Sequence, residues 1–316
     1  MSEKKIIAVV GSTGAQGGGL VRAILADPDG GFVARAITRD PSSEKARKLA
    51  AMGAEVVAAD VDDVASLERA FKGAHGVYCV TFFWEHFSPE KEMQHVKNMA
   101  AAAKSVGVQH VVWSTLEDTR RWVPLDDDRM PTLMCSYKVP HFDAKGASDK
   151  VFAEAGLPTT NLLTSFYWDN LIYFGMGPKE GPNGNLVLTM PMGEGKLPGM
   201  AAEDIGRAAY EIFKRDGELV GKTVGVAGEH LTGEEMAAAL SRALGREVEY
   251  NAIEPDAYRA LGFPGAEDLG NMFQFKRDFQ EVFRGHRDME ASRSLLPTVQ
   301  TFDQWLADNA ERIPIE

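Results

Sequence analysis

The stretch IIAVVGSTGAQGGGL, residues 6–20, joins a short apolar run to a loop with five glycines in nine positions. Such a run before a glycine-rich turn is typical of a buried strand, and the segment from Gln16 to Ala26 has a helical pattern. Glycine occurs where the backbone turns sharply or where another group comes close to it. The sequence therefore predicts a strand–loop–helix unit in which another group comes close to the backbone of the loop.

The three glycines Gly11, Gly14 and Gly17 recur at every third residue of this loop. A tight turn there places the helix N-terminus beside the loop, where its N–H groups and positive dipole end attract a pyrophosphate. The third glycine lets the helix pack closely against the strand. The spacing differs from the GxGxxG fingerprint. In its strand–helix context it still predicts a dinucleotide site.

Strand and helix patterns alternate regularly through the first half of the chain. Apolar strands between amphipathic helices indicate βαβ units and a parallel sheet, so we predict an α/β, doubly wound fold. The residues from Arg120 to Pro140 interrupt this alternation as a loop. The predicted strands are 5–10, 32–38, 54–60, 76–80, 108–114 and 159–165, and the predicted helices are 16–26, 42–53, 64–73, 89–106 and 141–156.

The character of the chain changes after residue 165. Gly- and Pro-rich loops at 175–184 and 190–200 separate short strands and helices. We therefore predict a dinucleotide-binding domain at residues 1–165 and a smaller α+β domain at residues 166–316, with elements that could cross back to the sheet.

Composition excludes several classes of protein. The net charge of −12 argues against general nucleic-acid binding. Two cysteines provide no disulfide framework, and no metal-ligand motif is present, so we predict no metal. The apolar run after MSEKK is too short for a secretory signal, and no stretch approaches the length of a membrane helix. We expect a cytoplasmic protein without membrane association.

The end of the second strand, Thr38-Arg39-Asp40-Pro41-Ser42-Ser43, bears on the choice of cofactor. An acidic residue here holds the ribose 2′-OH of NAD, whereas an arginine accommodates the 2′-phosphate of NADP. Arg39 comes first, and Ser42 and Ser43 could donate to a phosphate, although Asp40 could be the ribose acid. We favour NADP(H) over NAD(H). At the end of the third strand, Asp60 and Val61 are predicted adenine contacts, and Asp62 or Asp63 is the predicted helix N-cap.

Several further motifs resemble one known family. GSTGAQGG, TRDP, GAEVVAADVDD, VTFFWE, HFDAKG and LGFPGAEDLGNMFQF together resemble the NmrA-like family of atypical short-chain dehydrogenase/reductases, most closely its HSCARG-type, NADPH-sensing members. The likeness runs from about residue 4 to about residue 310. It implies a Rossmann domain, a small C-terminal domain that closes the ligand cleft, and NADP(H) as ligand.

The resemblance also implies roles for individual residues. Arg39 would hold the 2′-phosphate, although Ser42 and Ser43 stand where related sequences carry further basic residues. Thr81 and Phe82 would lie beside the nicotinamide half. The pyrophosphate would be held by Gly11, Ser12, Thr13, Gly14, Ala15 and Gln16, and the cleft would be lined by Tyr167, Trp168, Asp169, Asn170 and also Gln94.

Competent short-chain dehydrogenases use Tyr-x-x-x-Lys on one helix, where the lysine lowers the pKa of the tyrosine. The matching stretch here is HFDAK, with His141 in the tyrosine position and Lys145 retained. Both are candidate catalytic residues, and Lys145 is also a predicted ligand of the nicotinamide ribose. Ser114 ends the fifth strand, near the usual position of the catalytic serine.

These residues leave two functions open. The first is a redox-sensing, regulatory NADP(H) binder that lacks the full catalytic set and whose state a partner protein reads. The second is an NADPH-dependent reductase of a small quinone, enone or carbonyl, with Phe82, Phe83, Trp84, Tyr167 and Trp168 holding a flat ring. We favour the first. The sequence leaves the substrate, the partner and the oligomeric state open, a homodimer included.

Overall fold

The computed structural model describes residues 4–315. The chain forms two compact units. The first comprises residues up to 117, 144–163 and 202–224, and the second comprises 118–143, 164–201 and 225 onward. The domain division at residues 165 and 166 stays a prediction, and its outer limits, residues 1 and 316, lie outside the described residues.

The elements follow the order βαβ at the start and become shorter later. The strands are β1 Lys5–Val9, β2 Phe32–Thr38, β3 Glu55–Ala58, β4 Gly76–Cys79, β5 His110–Thr115, β6 Thr159–Leu163, β7 Phe166–Tyr167, β8 Lys179–Glu180, β9 Leu186–Thr189, β10 Leu197–Met200, β11 Thr223–Gly225, β12 Glu229–Leu231 and β13 Val248–Asn251. The α-helices are α1 Ala15–Ala26, α2 Glu44–Ala51, α3 Val64–Phe71, α4 Pro89–Ser105, α5 Pro140–Glu154, α6 Asn170–Tyr173, α7 Ala202–Lys214, α8 Gly233–Leu244, α9 Pro255–Arg259, α10 Ala266–Asp278, α11 Gln280–Gly285, α12 Met289–Leu295 and α13 Phe302–Asn309. Three-ten turns occupy Phe83–Glu85, Thr119–Arg121 and Ala310–Arg312. Among residues 4–315, no helix has both the length and the apolar character that a membrane crossing requires.

A seven-stranded sheet forms the centre of the first unit, in the order β11-β6-β5-β4-β1-β2-β3. Successive pairs from β3 to β6 are parallel, and Ile7 of β1 lies opposite Ala34 of β2 and Gly76 of β4. The strand order reverses at β1, because β2 lies on one side of it and β4 on the other. The carboxyl ends of strands at such a switch point form a ligand crevice. The predicted α/β, doubly wound fold is confirmed.

Apolar side chains from this sheet and three helices form one core. Val77 and Val111 of the sheet pack with Phe71 of α3, Met99 of α4 and Phe152 of α5, and all five are fully buried. The helix α1 packs against α7. This packing fixes the positions of the strand ends that carry the candidate site.

Two three-stranded sheets, in the orders β12-β10-β7 and β13-β9-β8, and several short helices form the second unit. The expectation of smaller strands and helices after residue 165 is confirmed. The prediction that 175–184 and 190–200 are loop throughout is wrong. The two-residue strand β8 lies within the first and pairs with β9, and β10 lies within the second and pairs with β7 and β12. Pro198 and Gly199 signal a loop in the sequence. Residue 199 is glycine for a packing reason, because a Cβ there would lie 2.4 Å from Nε1 of Trp168.

Candidate functional site

The loop between β1 and α1 has the backbone geometry that its glycines suggested. Gly11 has a φ of +65°, in the left-handed region that favours glycine. Gly14 caps α1 and donates its N–H to the carbonyl oxygen of Gly11 at 2.9 Å. The first turn of α1 contains no acidic side chain, and Gly14 supplies no side-chain cap. This helix end therefore suits an anionic ligand.

Gly17 lies where the helix and the loop come closest. A Cβ on this residue would lie 2.5 Å from the carbonyl oxygen of Gly11 and 2.8 Å from its carbonyl carbon. Both atoms belong to the backbone and cannot rotate away. A side chain at residue 17 would therefore push α1 away from the loop, as the sequence analysis expected for the third glycine.

Gln16 connects the loop to the sheet beneath it. Its Oε1 accepts hydrogen bonds from the Tyr78 hydroxyl of β4 at 2.5 Å and from the Ser114 hydroxyl of β5 at 2.7 Å. The Ser12 hydroxyl donates to the carbonyl oxygen of Ile37 in β2 at 2.8 Å. Ser114 is thus a buried anchor of the loop in this structure. The neighbouring residues Thr13 and Ala15 complete the segment predicted to hold the pyrophosphate, which stays a prediction.

Arg39 directly follows β2 and forms an ion pair with Glu85, with Nη1 2.5 Å from Oε1. Its hydrogen bond to Glu85 raises the pKa of the guanidinium, and the charges of Glu85, Asp60 and Asp62 add to this against the effect of burial. The side chain is 63% exposed. Arg39 therefore lies at the surface at the carboxyl end of the sheet, as a 2′-phosphate ligand would.

Ser42 and Ser43 have local partners in this structure. The Ser42 hydroxyl and amide both donate to Oδ1 of Asp40, at 2.5 and 2.8 Å, and these bonds lower the pKa of that carboxyl. Ser43 caps α2 by accepting the Ala46 amide, and its hydroxyl donates to the carbonyl oxygen of Asp40. A phosphate contact from either serine would have to replace a local bond. Their predicted role stays a prediction.

The segment after β3 is held by side chains from α3 and α4. The Asp60 amide donates to the Ser66 hydroxyl at 2.9 Å, and Asn98 donates to the carbonyl oxygen of Val61 at 2.8 Å. Gln94 in turn donates to Asn98 at 2.8 Å. Asp63 is the N-cap of α3. It is one of the two alternatives that the sequence predicts. Asp60, Val61 and Gln94 are therefore brought into one hydrogen-bonded region.

Lys145 lies in a buried cluster with Thr81 and Glu92. Its ammonium donates to the Thr81 hydroxyl at 2.5 Å and lies 2.8 Å from Oε1 of Glu92. The same Glu92 oxygen accepts the Thr81 hydroxyl at 2.5 Å. The ammonium also lies 5.2 Å from the centre of the Trp113 ring. Thr81 and Lys145, both predicted near the nicotinamide, are thus in direct contact.

Glu92 is a charged group in the interior of the first unit, with a fully buried side chain. Burial raises the pKa of this carboxyl, but the charge and hydrogen bond of Lys145, together with the Thr81 hydroxyl, outweigh burial. The pKa of Glu92 therefore lies below its ordinary value. The Glu92 carboxylate and the Lys145 ammonium therefore form a buried ion pair.

An aromatic turn, residues 82–87, follows Thr81. Phe82 is 56% exposed, whereas Phe83 is buried. Trp84 packs edge-on against Phe83 and Phe87, with ring centres 5.4 and 5.7 Å apart. Phe82 is thus the ring of this group that is most open to a ligand.

His141 contacts Asp268, and both residues belong to the second unit. Its Nδ1 lies 2.6 Å from Oδ1 of Asp268, and its amide donates to the other oxygen of that carboxylate at 3.2 Å. Both side chains are buried. The same helix, α5, carries His141 and Lys145 as the spacing predicted, but each has its own carboxylate partner. A catalytic role for either residue stays a prediction.

The four residues predicted to line the cleft occupy different environments in the second unit. The Tyr167 hydroxyl lies 3.3 Å from that of Thr164, and burial raises the pKa of Tyr167 to about 12. Trp168 is 1% exposed and packs against Phe302. Asp169 and Asn170 begin α6. Their role toward a ligand stays a prediction.

A family model described as the NmrA-like family matches residues 3–306. The chain belongs to the NmrA-like family. The resemblance predicted at the family level is confirmed.

Named relatives of this NmrA-like chain include reductases. It is 30% identical to the NAD(P)H azoreductase of Xenophilus azovorans, over 82% of each chain. It is 28% identical to the NmrA-like family domain-containing oxidoreductase FrzB of Cladobotryum sp, over 85% of this chain and 83% of the relative. The structure of NmrA, a negative transcriptional regulator, in complex with NADP is similar with a TM-score of 0.78 and 24% identity, over 98% of this chain and 96% of that one. The last likeness shows the fold.

His86, Glu92 and His95 come close enough together in this NmrA-like chain to resemble a metal site. The Ser88 amide donates to Nδ1 of His86 at 3.1 Å, and Nε2 of the same ring lies 3.5 Å from Oε2 of Glu92. These two buried atoms have no hydrogen-bond partner in the described structure. The His95 ring pairs instead with Asp62 at 2.9 Å.

Three residues of the site escaped the sequence analysis of this NmrA-like chain. Tyr78 lies within an apolar strand, and its hydroxyl gives no periodic signal. Glu92 lies in the first turn of α4, where an acidic residue is ordinarily explained by the helix dipole. Glu85 lies far from Arg39 in sequence. Tertiary packing of helices and strands that are distant in sequence brings these partners together.

Proposed function

We propose that this chain binds NADP(H) at the carboxyl edge of the sheet in its first unit. One observation carries the proposal: a glycine loop, in which Gly11 and Gly14 are exposed to solvent, lies at the switch point of the sheet, and Arg39 follows the neighbouring strand. The loop suits a pyrophosphate, and the arginine suits a 2′-phosphate. Complexes of NmrA with NADP and with NAD support this ligand class.

We propose a regulatory, redox-sensing role for this binding. The dehydrogenase tyrosine is replaced by His141, whose ring nitrogen is held by Asp268. The Lys145 ammonium is held by Glu92 and Thr81. Both side chains are thus engaged with protein partners, which argues against a ready proton donor. A partner protein or a second copy of the chain would read the bound state, and we expect this to occur in the cytoplasm.

A second candidate is NADPH-dependent reduction of a small quinone, enone or carbonyl. The azoreductase that is 30% identical to this chain favours it, as does the exposed Phe82 ring next to Thr81. The cofactor supplies a hydride when bound, and the chain needs only to hold a flat acceptor beside it. In this role Lys145 would stabilise developing negative charge on the acceptor.

Arg39→Ala should lower the affinity for NADPH at least tenfold and that for NADH less than twofold. The arginine contributes a charge-assisted bond to the 2′-phosphate, which NADH lacks, and such bonds contribute about 1.5–3 kcal/mol. Calorimetric titration of both dinucleotides measures the difference. Arg69→Ala removes an exposed charge from α3 and should leave both affinities unchanged. Equal losses for the two dinucleotides in Arg39→Ala would contradict the assignment of Arg39.

The regulatory and reductase roles predict different results in an assay of NADPH oxidation. Under the regulatory proposal, a panel of quinones, enones, carbonyls and azo compounds should leave NADPH absorbance unchanged in protein that binds NADPH. Steady oxidation of NADPH by one compound, above the rate without protein, would replace the regulatory role with the reductase. Phe82→Ala should then raise KM for that compound more than it lowers kcat, because the ring only binds the acceptor.

A further inference from the structure

Glu85 is an unexpected partner for Arg39. Its carboxylate lies 2.5 Å from the guanidinium, and both side chains are about half exposed. The hydrogen bond from Arg39 lowers the pKa of Glu85, so the carboxyl is charged at neutral pH. Asp60 and Asp62 also act on Arg39 through their charges. A guanidinium at the place predicted to receive a phosphate is thus paired with one carboxylate and attracted by the charges of two more.

The topology puts this pair across the candidate site. Arg39 follows β2, and Glu85 ends the three-ten turn that follows β4. Since β2 and β4 flank β1 in a parallel arrangement, their carboxyl ends lie on either side of the glycine loop. The ion pair therefore joins the two sides of the crevice above β1.

We propose that Glu85 competes with the cofactor 2′-phosphate for Arg39 and so sets the preference between NADP(H) and NAD(H). The inference rests on the proposed function. A phosphate that binds Arg39 must displace the carboxylate, because both anions use the same guanidinium donors. The displaced Glu85 would remain nearby and repel the phosphate. A dinucleotide without the 2′-phosphate requires no such exchange.

Removal of the carboxylate should therefore favour the phosphorylated cofactor. In Glu85→Gln, the association constant for NADPH should rise about fivefold, the size expected when one exposed ion pair no longer opposes binding. The constant for NADH should change less than twofold. Calorimetric titration of both ligands at low ionic strength measures the ratio, and added salt should reduce the difference.

A matched control exists on β2, the strand that Arg39 follows. Arg35 of β2 pairs with Glu55 at 2.8 Å, again with an exposed carboxylate. Glu55→Gln should leave both association constants unchanged. Titration with 2′-phospho-ADP-ribose and ADP-ribose, which lack the nicotinamide, should reproduce the fivefold change in Glu85→Gln for the phosphorylated ligand alone. That result would locate the effect at the 2′-phosphate rather than at the aromatic turn.

The outcomes separate the two proposals. If the wild-type chain binds NADPH and NADH, but Glu85→Gln leaves their ratio unchanged, the role of Glu85 is overturned and the proposed function stands. A change only with intact dinucleotides, or an equal rise for both, also overturns the role of Glu85. If the wild-type chain binds neither dinucleotide, both proposals are overturned.

Discussion

Glu92→Gln should lower the free energy of unfolding by about 3 kcal/mol, because breaking a buried ion pair leaves the remaining charge uncompensated. The Lys145 ammonium lies 2.8 Å from this carboxylate, and both side chains are largely buried. Gln keeps the size of the side chain and removes only its charge. Denaturant unfolding measured by circular dichroism at pH 7 gives the difference directly.

The stabilisation from the Glu92–Lys145 pair should also depend on pH. The pKa of Glu92 in the folded chain lies below its ordinary value of 4.5. Its contribution to stability is therefore fully present above about pH 4.5 and is lost as the pH falls through the folded pKa. The difference in stability between wild type and Glu92→Gln should be constant near neutral pH and should shrink below about pH 4.5. A difference that does not vary with pH would show that the carboxylate charge is not the cause.

Two further variants assign the effect to the pair. Glu92→Gln combined with Lys145→Met should be more stable than Glu92→Gln alone, because removal of both charges leaves neither uncompensated. Glu44 pairs with Lys48 on the surface of α2, and Glu44→Gln should change stability little. If the double variant is no more stable than Glu92→Gln, the buried pair does not account for the loss.

The fold of the first unit could be predicted from the sequence because its signals are local. Runs such as FVARAIT, residues 32–38, contain the apolar pattern of a strand, and the structure places β2 at the same residues. Boundaries were less predictable where burial is partial: the strand expected at 54–60 is Glu55–Ala58. In the second unit, tertiary contacts decide the outcome, as β10 shows. Its Pro198 and Gly199 resemble a loop until the packing of Trp168 is known.

The candidate site could be predicted only in part, for a related reason. The glycine loop and Arg39 lie at positions that chain order alone connects to the ends of β1 and β2. Chain order does not indicate which side chains contact these predicted residues. Nothing near Lys145 in sequence indicates that Glu92 lies 2.8 Å from it, and the His141 contact with Asp268 joins residues far apart in the chain. Such pairs depend on packing and determine whether a recognised side chain can act as its pattern suggests.

Gly17→Ala should destabilise the chain by about 1 kcal/mol and lower NADPH affinity at least tenfold. The new Cβ would lie 2.5 Å from the carbonyl oxygen of Gly11, so α1 or the loop must move. Overpacking against fixed backbone costs about 1–3 kcal/mol, more than the roughly 1 kcal/mol that Ala gains over Gly in a helix. The movement would also change the turn that is proposed to hold the pyrophosphate. Thermal unfolding and dinucleotide titration measure the two effects.

Gly285→Ala is the matched control, because it makes the same substitution in a helix where nothing lies within 4 Å of the new Cβ. It should be at least as stable as wild type and should bind NADPH unchanged. If Gly17→Ala were as stable as wild type and bound NADPH unchanged, the loop could accommodate a Cβ at residue 17, and the packing argument would be wrong. If it lost stability and kept full affinity, the dinucleotide would not depend on this turn. The two measurements thus separate the packing role of Gly17 from its role in binding.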